Sequence, residues 1–420
     1  MLNQITLFPG VRLTAVSSSR FRTSCFRVSF LCPLRAETAA KNTLIPDILL
    51  RGCRAHPSLT AISRFLDASY GASVGSQIRK MGETQSVGLY ASFLEDAVAG
   101  EPLLQRLCGF VGQLLFDPLI SDGGFDPAAF AVERENLRSA LRAEKNDKAL
   151  YAARQLNRNM FRGESYAVPP SGEEADLDGI TPQNLYEQYQ SVLAHAPVEV
   201  FYHGSESPER AAERMRGMLR PLDGRVRLPV PEPVFHAPGP VRRRTEYGDL
   251  TQARIAVGFR APIPQTVEAL AAMQVFLVLY GGSYRSKLFV KMREEASLCY
   301  AVSASFDRLK GAMFVMAGVD ADQVEPALAE IRRQLAACAA GEISAGELRQ
   351  AKSMLLSNLC GVTERPSRME EFCAGLTVGG VSASMEARIE AIRAVTAERA
   401  AAAAAAVRED FVYVLREEEP

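Results

Sequence analysis

Residues 221–240 read Pro-Leu-Asp-Gly-Arg-Val-Arg-Leu-Pro-Val-Pro-Glu-Pro-Val-Phe-His-Ala-Pro-Gly-Pro, near the middle of a chain of 420 residues. Proline lacks a backbone N–H and fixes φ, so a segment this rich in proline cannot continue a helix or a central strand. The segment therefore predicts an interdomain linker. We place one domain at residues 1–220, the linker at 221–245 and a second domain at 246–420.

The two halves around this linker repeat the same order of patterns. Strand-like and helical stretches correspond in pairs, which begin at Phe26 and Ala253, Gly100 and Val324, Glu133 and Ala345, and Val198 and Phe411. The offset within each pair stays between 212 and 227 residues. Each half thus predicts an α+β unit, and the chain predicts two duplicated lobes, each an antiparallel-type sheet with helices on one face.

Composition excludes several classes of function. The chain has 48 Lys and Arg against 49 Asp and Glu, so it lacks the basic field that drives binding to nucleic acid or anionic membranes. Its apolar runs are shorter than the roughly 18 residues that cross a membrane. Eight cysteines without a CxxC pair indicate buried thiols in a reducing compartment, and hence a cytoplasmic protein. The Arg- and Ser-rich first 35 residues resemble a transit peptide in composition, but their alternation favours strands.

Most motifs that would carry chemistry are absent. The stretch from Gly281 lacks the spacing of a P-loop, and its Gly-Gly-Ser favours a helix cap, with Ser283 or a neighbour as the cap. Gly71-Ala-Ser-Val-Gly75 matches GxSxG formally, but no apolar strand precedes it, so we predict that Ser73 lies in a loop. The four histidines are too scattered to supply converging zinc ligands, and no histidine accompanies a cysteine as in a thiol nucleophile.

One pair of polar residues remains. Arg293 ends a predicted helix over 286–296, and Tyr300 opens an alternating, strand-like stretch. A guanidinium and a phenol that converge can both hydrogen-bond a peptide carbonyl or a carboxylate. From spacing alone, the simpler interpretation is an arginine that caps helix carbonyls and a tyrosine at a sheet edge.

The sequence around this pair resembles the M16 (insulinase or pitrilysin-like) zinc peptidases. Residues 279–304 resemble the second-lobe signature of that family, Gly-Gly-x-x-x-Ser-x-Leu-Phe followed by Arg-Glu-x-x-x-Leu-x-Tyr. The resemblance covers nearly the whole chain and implies an M16/LuxS-like metallohydrolase-type fold. It also implies that Arg293 and Tyr300 bind the substrate backbone, which reverses the preference stated from spacing.

The first half departs from the family pattern where zinc is bound. The HxxEH helix of the family runs into an apolar-apolar-basic-Gly sequence, which resembles Ile48-Leu-Leu-Arg-Gly52. On this anchor the two histidines and the glutamate between them fall on Thr43, Asp47 and Pro46, and the distal glutamate ligand falls on Ala140. Because one carboxylate is not a zinc site, we expect neither a metal nor a catalytic residue on this chain.

An absent zinc motif with a retained Arg/Tyr pair is similar to the non-catalytic subunit of two-chain M16 peptidases. The resemblance implies a heterodimer in which an HxxEH-bearing homologue holds the zinc and this chain binds a peptide or an unfolded protein segment. Leu66-Asp-Ala-Ser-Tyr-Gly-Ala-Ser also resembles an inactive branch from Gram-positive bacteria that is associated with 5-aminopentanol modification of elongation factor P. The alternatives are a scaffold homologue without a role in peptide processing and, less favoured, a stand-alone metallopeptidase.

Overall fold

The structure is a computed structural model, and it describes residues 2–374, 376–381 and 383–417. The strands are β1 (Leu2–Phe8), β2 (Val11–Ser17), β3 (Thr23–Pro33), β4 (Ser73–Met81), β5 (Thr84–Leu94), β6 (Ile120–Ser121), β7 (Gly124–Phe125), β8 (Val198–Gly204), β9 (Arg242–Tyr247), β10 (Ala253–Arg260), β11 (Ala301–Asp307), β12 (Ala312–Val319) and β13 (Arg408–Arg416). The helices are α1 (Ala36–Leu49), α2 (Leu59–Asp67), α3 (Asp96–Ala99), α4 (Leu103–Phe116), α5 (Pro127–Glu144), α6 (Lys148–Met160), α7 (Pro182–His195), α8 (Pro208–Leu219), α9 (Val267–Tyr280), α10 (Val324–Ala339), α11 (Ala345–Val362), α12 (Pro366–Cys373), α13 (Leu376–Gly379), α14 (Met385–Ala394) and α15 (Ala397–Ala405).

Two large sheets form the framework of the protein. The first has the strand order β1-β2-β8-β3-β5-β4, and the second has the order β11-β12-β10-β13-β9. Read from β4 and from β11, five successive strands of the two sheets correspond, and only β1 has no counterpart. Each sheet is antiparallel except for one parallel pair, β2 with β8 and β9 with β13. The predicted α+β fold with a duplicated unit is confirmed.

The chain divides into two compact units whose limits differ from the predicted boundaries. Unit 1 consists of residues 1–142, 168–232 and 363–378, and unit 2 of residues 143–167, 233–362 and 379–420. Helix α6, from the first half of the sequence, thus packs in unit 2, while α12, from the second half, packs in unit 1. A cut at 220 and 246 misses this exchange, because amphipathicity shows that a helix has an apolar face but not which sheet covers that face.

The exchanged helix α6 covers the second face of its sheet. Ile255 and Val257 of β10 lie in the main core of unit 2, whereas Ala256, between them, lies in a separate cluster with Leu156 and Met160 of α6. Neighbouring residues of a strand point to opposite faces. The sheet of unit 2 therefore carries helices on both faces.

Some local predictions differ from the structure. Ser73 is the first residue of β4 instead of a loop residue, because the strand pairs with β5 from Ser73 onward. Strand β9 begins at Arg242, inside the range predicted as linker, since it pairs in parallel with β13. All eight cysteines are free thiols, and Cys360 is the exposed one. Within the described ranges, no helix is both long and apolar enough to cross a membrane.

Candidate functional site

Arg293 lies on a segment of π-helix, Phe289–Glu295, that follows the Gly-Gly-Ser turn. The hydroxyl of Ser286 accepts a hydrogen bond from the N–H of Phe289 at 3.3 Å, so Ser286 caps this helix instead of Ser283. The N–H of Ala296 donates to the carbonyl of Lys291 at 3.2 Å, five residues back, as in a π-helix. π-Helical segments are rare and are frequent at functional sites, because the wider turn changes where a side chain points.

The Arg293 guanidinium is exposed and rests on an aromatic ring. Its Cζ lies 5.1 Å from the centroid of the Phe289 ring. Phe289 in turn makes an edge-to-face contact with Tyr284 at 5.3 Å. Among the described residues, no carboxylate lies within ion-pair distance of Arg293. Stacking therefore orients the guanidinium and leaves its N–H donors available.

A short turn after the π-helix positions Tyr300. Ser297 adopts a left-handed backbone conformation with φ of 51°, and the N–H of Tyr300 donates to the carbonyl of Gly318 at 2.9 Å. The ring is 55% exposed, and its hydroxyl donates weakly to Asp320 Oδ2 at 3.3 Å. Burial raises the pKa of Cys299, which precedes Tyr300, and the charge of Arg293 opposes that rise.

The residues at the positions of the zinc motif do not form a metal site. Thr43 and Pro46 are buried in α1, Asp47 lies one residue further, and Ala140 is exposed on α5. Burial raises the pKa of Asp47, while a hydrogen bond from Ser76 of β4 opposes the rise. Threonine, proline and alanine offer no nitrogen, sulfur or carboxylate ligand, so this donor set does not fit zinc. Within the described ranges, no group of three or more His, Cys, Asp or Glu side chains could hold a metal ion.

A hydrogen-bond network occupies the space around Thr43. The Thr43 hydroxyl donates to the carbonyl of Pro170 at 3.0 Å, and Gln85 Nε2 donates to the same carbonyl at 2.6 Å. Asn42 Nδ2 donates to Gln85 Oε1 at 2.9 Å, and Gln188 Nε2 donates to Asn42 Oδ1 at 2.8 Å. This network could not be predicted from the sequence, because its members are far apart along the chain and form no recognisable motif. The network satisfies the buried polar groups of α1 around Thr43, so this part of the helix has a structural role.

The charged side chains next to Asp47 also pair with each other. Arg51, two residues after the end of α1, forms an ion pair with Glu133 of α5, and both side chains are largely buried. Glu133 lies seven residues before Ala140, the position on which the distal ligand falls. Its carboxylate therefore neutralises an arginine instead of supporting a metal ligand.

The two corresponding edge strands differ in how far their outer side is covered. Strand β4 is the last strand of its sheet, and within the described residues no other strand pairs with its outer side. Strand β11 is also an edge strand, but the N–H of Ala304 donates to the carbonyl of Gly281 at 2.9 Å, which closes part of that edge. An open edge can accept an additional strand from a peptide. Within the described residues, strand β4 is the edge that has no backbone hydrogen bond of this kind on its outer side.

Comparison with known proteins shows which family the chain resembles. The family described as peptidase M16 inactive domain matches residues 179–355. The chain is 27% identical to the protein named probable inactive metalloprotease YmfF of Bacillus subtilis, over 97% of this chain and 96% of that protein. A crystal structure of a conserved protein from Enterococcus faecalis superimposes with a TM-score of 0.90 at 25% identity, covering 99% of both chains. Over nearly its full length, the chain is therefore similar to inactive members of the peptidase M16 family.

A further solved structure shares the fold of this chain. A peptidase M16 inactive domain from Pseudomonas fluorescens has a TM-score of 0.80 at 15% identity, covering 100% of this chain and 98% of that one, which shows a shared fold. The matched range 179–355 contains Arg293 and Tyr300 and excludes α1. The donor set at Thr43, Pro46, Asp47 and Ala140, which does not fit zinc, agrees with the similarity of the chain to a protein named as an inactive metalloprotease.

Proposed function

We propose that this chain is the non-catalytic, peptide-binding subunit of a two-chain M16 peptidase whose zinc is held by an HxxEH-bearing partner. The observation that carries the proposal is the contrast between the halves of the chain. Arg293 and Tyr300 are exposed, and Arg293 has no ion-pair partner in the described residues, whereas the positions for zinc ligands are filled by residues that cannot bind it. An arginine that served only to be solvated would not need to stack on an aromatic ring, as Arg293 does on Phe289.

The chemistry of the pair suits an extended peptide. The guanidinium of Arg293 donates hydrogen bonds to backbone carbonyls or to a carboxylate, and the Tyr300 hydroxyl can leave its weak contact with Asp320 to do the same. The free edge of β4 offers main-chain groups that pair with an added strand independently of its side chains. Hydrolysis depends on the zinc of the partner. A cytoplasmic location and a link to modification of elongation factor P are further parts of this proposal, and the eight free thiols support the first.

The first experiment is a tagged pull-down from the native host, with zinc measured for each recovered chain. The proposal expects one zinc per pair, located on a co-purified HxxEH protein of similar length. Recovery of this chain alone with stoichiometric zinc would contradict the assignment of α1. Recovery alone and without metal would favour a stand-alone binding or scaffold protein.

Substitutions at the pair test its role directly. We expect Arg293→Ala to weaken peptide binding by the recovered complex by about tenfold or more, because a charge-assisted hydrogen bond is lost. We expect Tyr300→Phe to weaken binding by about two- to fivefold, as a neutral hydrogen bond is lost. Binding is measured by fluorescence anisotropy of a labelled unfolded casein peptide, and assembly of the pair by gel filtration.

Matched controls separate binding from folding. Arg162→Ala removes another exposed arginine of unit 2, and Tyr247→Phe changes a tyrosine with the same 55% exposure as Tyr300. Both controls are expected to bind as the wild type does. Unchanged binding in Arg293→Ala and Tyr300→Phe, with the pair still assembled, refutes the assigned role and leaves a scaffold function.

A further inference from the structure

A cavity of about 670 Å³ lies in unit 2 between the end of α9, the turn at 283–285 and the first three turns of α11. Its apolar part includes Val278 of α9 and Met354 of α11. Its rim carries Tyr284, whose ring is 80% exposed. The cavity is large enough to take one or two amino-acid side chains.

The cavity is continuous with the surface around Arg293. Tyr284 lines the cavity and contacts the ring of Phe289 edge-on at 5.3 Å. The opposite contact of Phe289 is the Arg293 guanidinium, 5.1 Å from the ring centroid. A chain of three side chains therefore leads from the cavity to Arg293. A peptide whose backbone is held by Arg293 can reach the cavity with a side chain a few residues away.

The charge of the cavity is one-sided. Arg285 and Arg349 line it, both are exposed, and within the described residues neither has an ion-pair partner. The acidic side chain in the lining, Glu347, is already neutralised, because Lys287 Nζ lies 2.8 Å from its Oε1 and the N–H of Ser344 donates to its Oε2 at 2.8 Å. These contacts hold the pKa of Glu347 below its ordinary value, although burial opposes them. The cavity thus presents two uncompensated guanidinium groups above an apolar floor.

We infer that this cavity is a specificity subsite for an acidic side chain, Asp or Glu, of the peptide bound at Arg293 and Tyr300. The inference rests on the proposed function and names the class of peptide that it selects. A carboxylate accepts hydrogen bonds from two guanidinium groups in a geometry that an amide or an ammonium group cannot reproduce. The methylene groups of the same side chain pack on Val278 and Met354.

The experiment uses labelled, end-blocked decapeptides of Ser, Ala, Thr and Val in which one Glu is moved through every position, with Gln and Lys peptides as references. Binding to the purified full-length protein, with its partner when one is recovered, is measured by fluorescence anisotropy. At one position we expect Glu to bind about fivefold more tightly than Gln, a size typical of a solvent-accessible ion pair. In Arg285→Glu/Arg349→Glu the preference is expected to change to Lys.

The control Arg162→Glu makes the same charge change at an exposed arginine outside the cavity, and it is expected to keep the Glu preference. Equal affinity for Glu and Gln at every position, in protein that still loses affinity through Arg293→Ala, overturns the subsite and leaves the proposed function intact. A Glu preference that survives Arg285→Glu/Arg349→Glu also overturns the subsite. Absence of binding to every peptide overturns both proposals.

Discussion

Helices α6 and α12 follow α5 and α11 at corresponding places in the two halves of the sequence, yet they are attached to their sheets by different forces. Helix α6 has a buried apolar face of Ala152, Leu156 and Met160 that packs on the strands of unit 2. Helix α12 has eight residues and buries Met369 and Cys373 together with a charged side chain, Glu370. Helix α6 is thus held on its sheet in unit 2 mainly by apolar burial, whereas α12 is held on its sheet in unit 1 mainly by ion pairs.

The ion pairs of α12 are unusually well enclosed. Glu370 is 2% exposed and accepts two parallel hydrogen bonds from Arg79, at 2.7 and 2.6 Å, while it also pairs with Arg27. Burial lowers the pKa of Arg27 to about 10, although Glu199 opposes that shift. An eight-residue helix has too little apolar surface to hold by packing alone, so its position depends on matching these charges. A helix of this kind should be sensitive to the loss of one charge.

The largest expected effect is that of Glu370→Ala. It leaves Arg27 and Arg79 close together, with Glu199 3.7 Å from Arg27 and with Glu199 and Glu371 as the carboxylates that still attract Arg79. We expect it to destabilise unit 1 by about 4 kcal/mol, as is typical when one member of a buried ion pair is removed. Hydrogen exchange followed by mass spectrometry should show faster exchange in β3 and β8 but not in β10. Arg368→Ala, an exposed change on the same helix, is the control, and equal exchange in the two variants would contradict the account of α12.

A smaller effect is expected from Leu156→Ala on α6. Leu156 is 1% exposed in the apolar cluster of unit 2, so truncation leaves a cavity and should cost about 3 kcal/mol. Exchange should increase in β10 and β13 and stay unchanged in β3. Faster exchange in β3 from Leu156→Ala would show that the units do not respond separately.

The helices that follow the central strands offer a second contrast. Helix α9 buries an almost entirely apolar face, whereas α1 buries Asn42 and Thr43 and holds the partly buried Asp47. In α1, Asn42 and Thr43 are satisfied by hydrogen bonds. The part of the helix that resembles the zinc motif therefore has a structural role. The carboxylate of Asp47 also has a hydrogen bond from Ser76, yet burial raises its pKa above the ordinary value of 3.8.

The smallest expected effect is a gain in stability from Asp47→Asn. A raised pKa means that the folded protein binds the proton more tightly than the unfolded chain does. The contribution of Asp47 is therefore most favourable below pH 3.8 and is lost as the pH rises through the folded-state pKa. At pH 7 the neutral amide should add at most about 1 kcal/mol, and near pH 3 the gain should vanish. Thermal unfolding at both pH values tests this, with exposed Asp67→Asn as the control; destabilisation at pH 7 would show that the carboxylate is needed.

Several parts of the site could be predicted from local sequence. The helix that carries Arg293 and the strand that follows Tyr300 are visible as patterns, because Ser286 supplies a cap and the residues after Tyr300 alternate. That the segment is a π-helix could not be predicted, since the choice between hydrogen bonds four and five residues apart depends on the turn at Ser297 and the pairing of Tyr300 with Gly318. That Arg293 and Tyr300 bind peptide stays a prediction.

The sequence by itself determined the duplication, the α+β class and the absence of zinc ligands, because each depends on residue type and on order along the chain. Only the tertiary structure decided which sheet receives α6 and α12, how Gln85 closes the space around Thr43, and that Arg285 and Arg349 share a cavity. These features join residues that are distant in sequence. Such contacts are selected by packing and by the pairing of buried polar groups, and neither leaves a periodic pattern in a single chain.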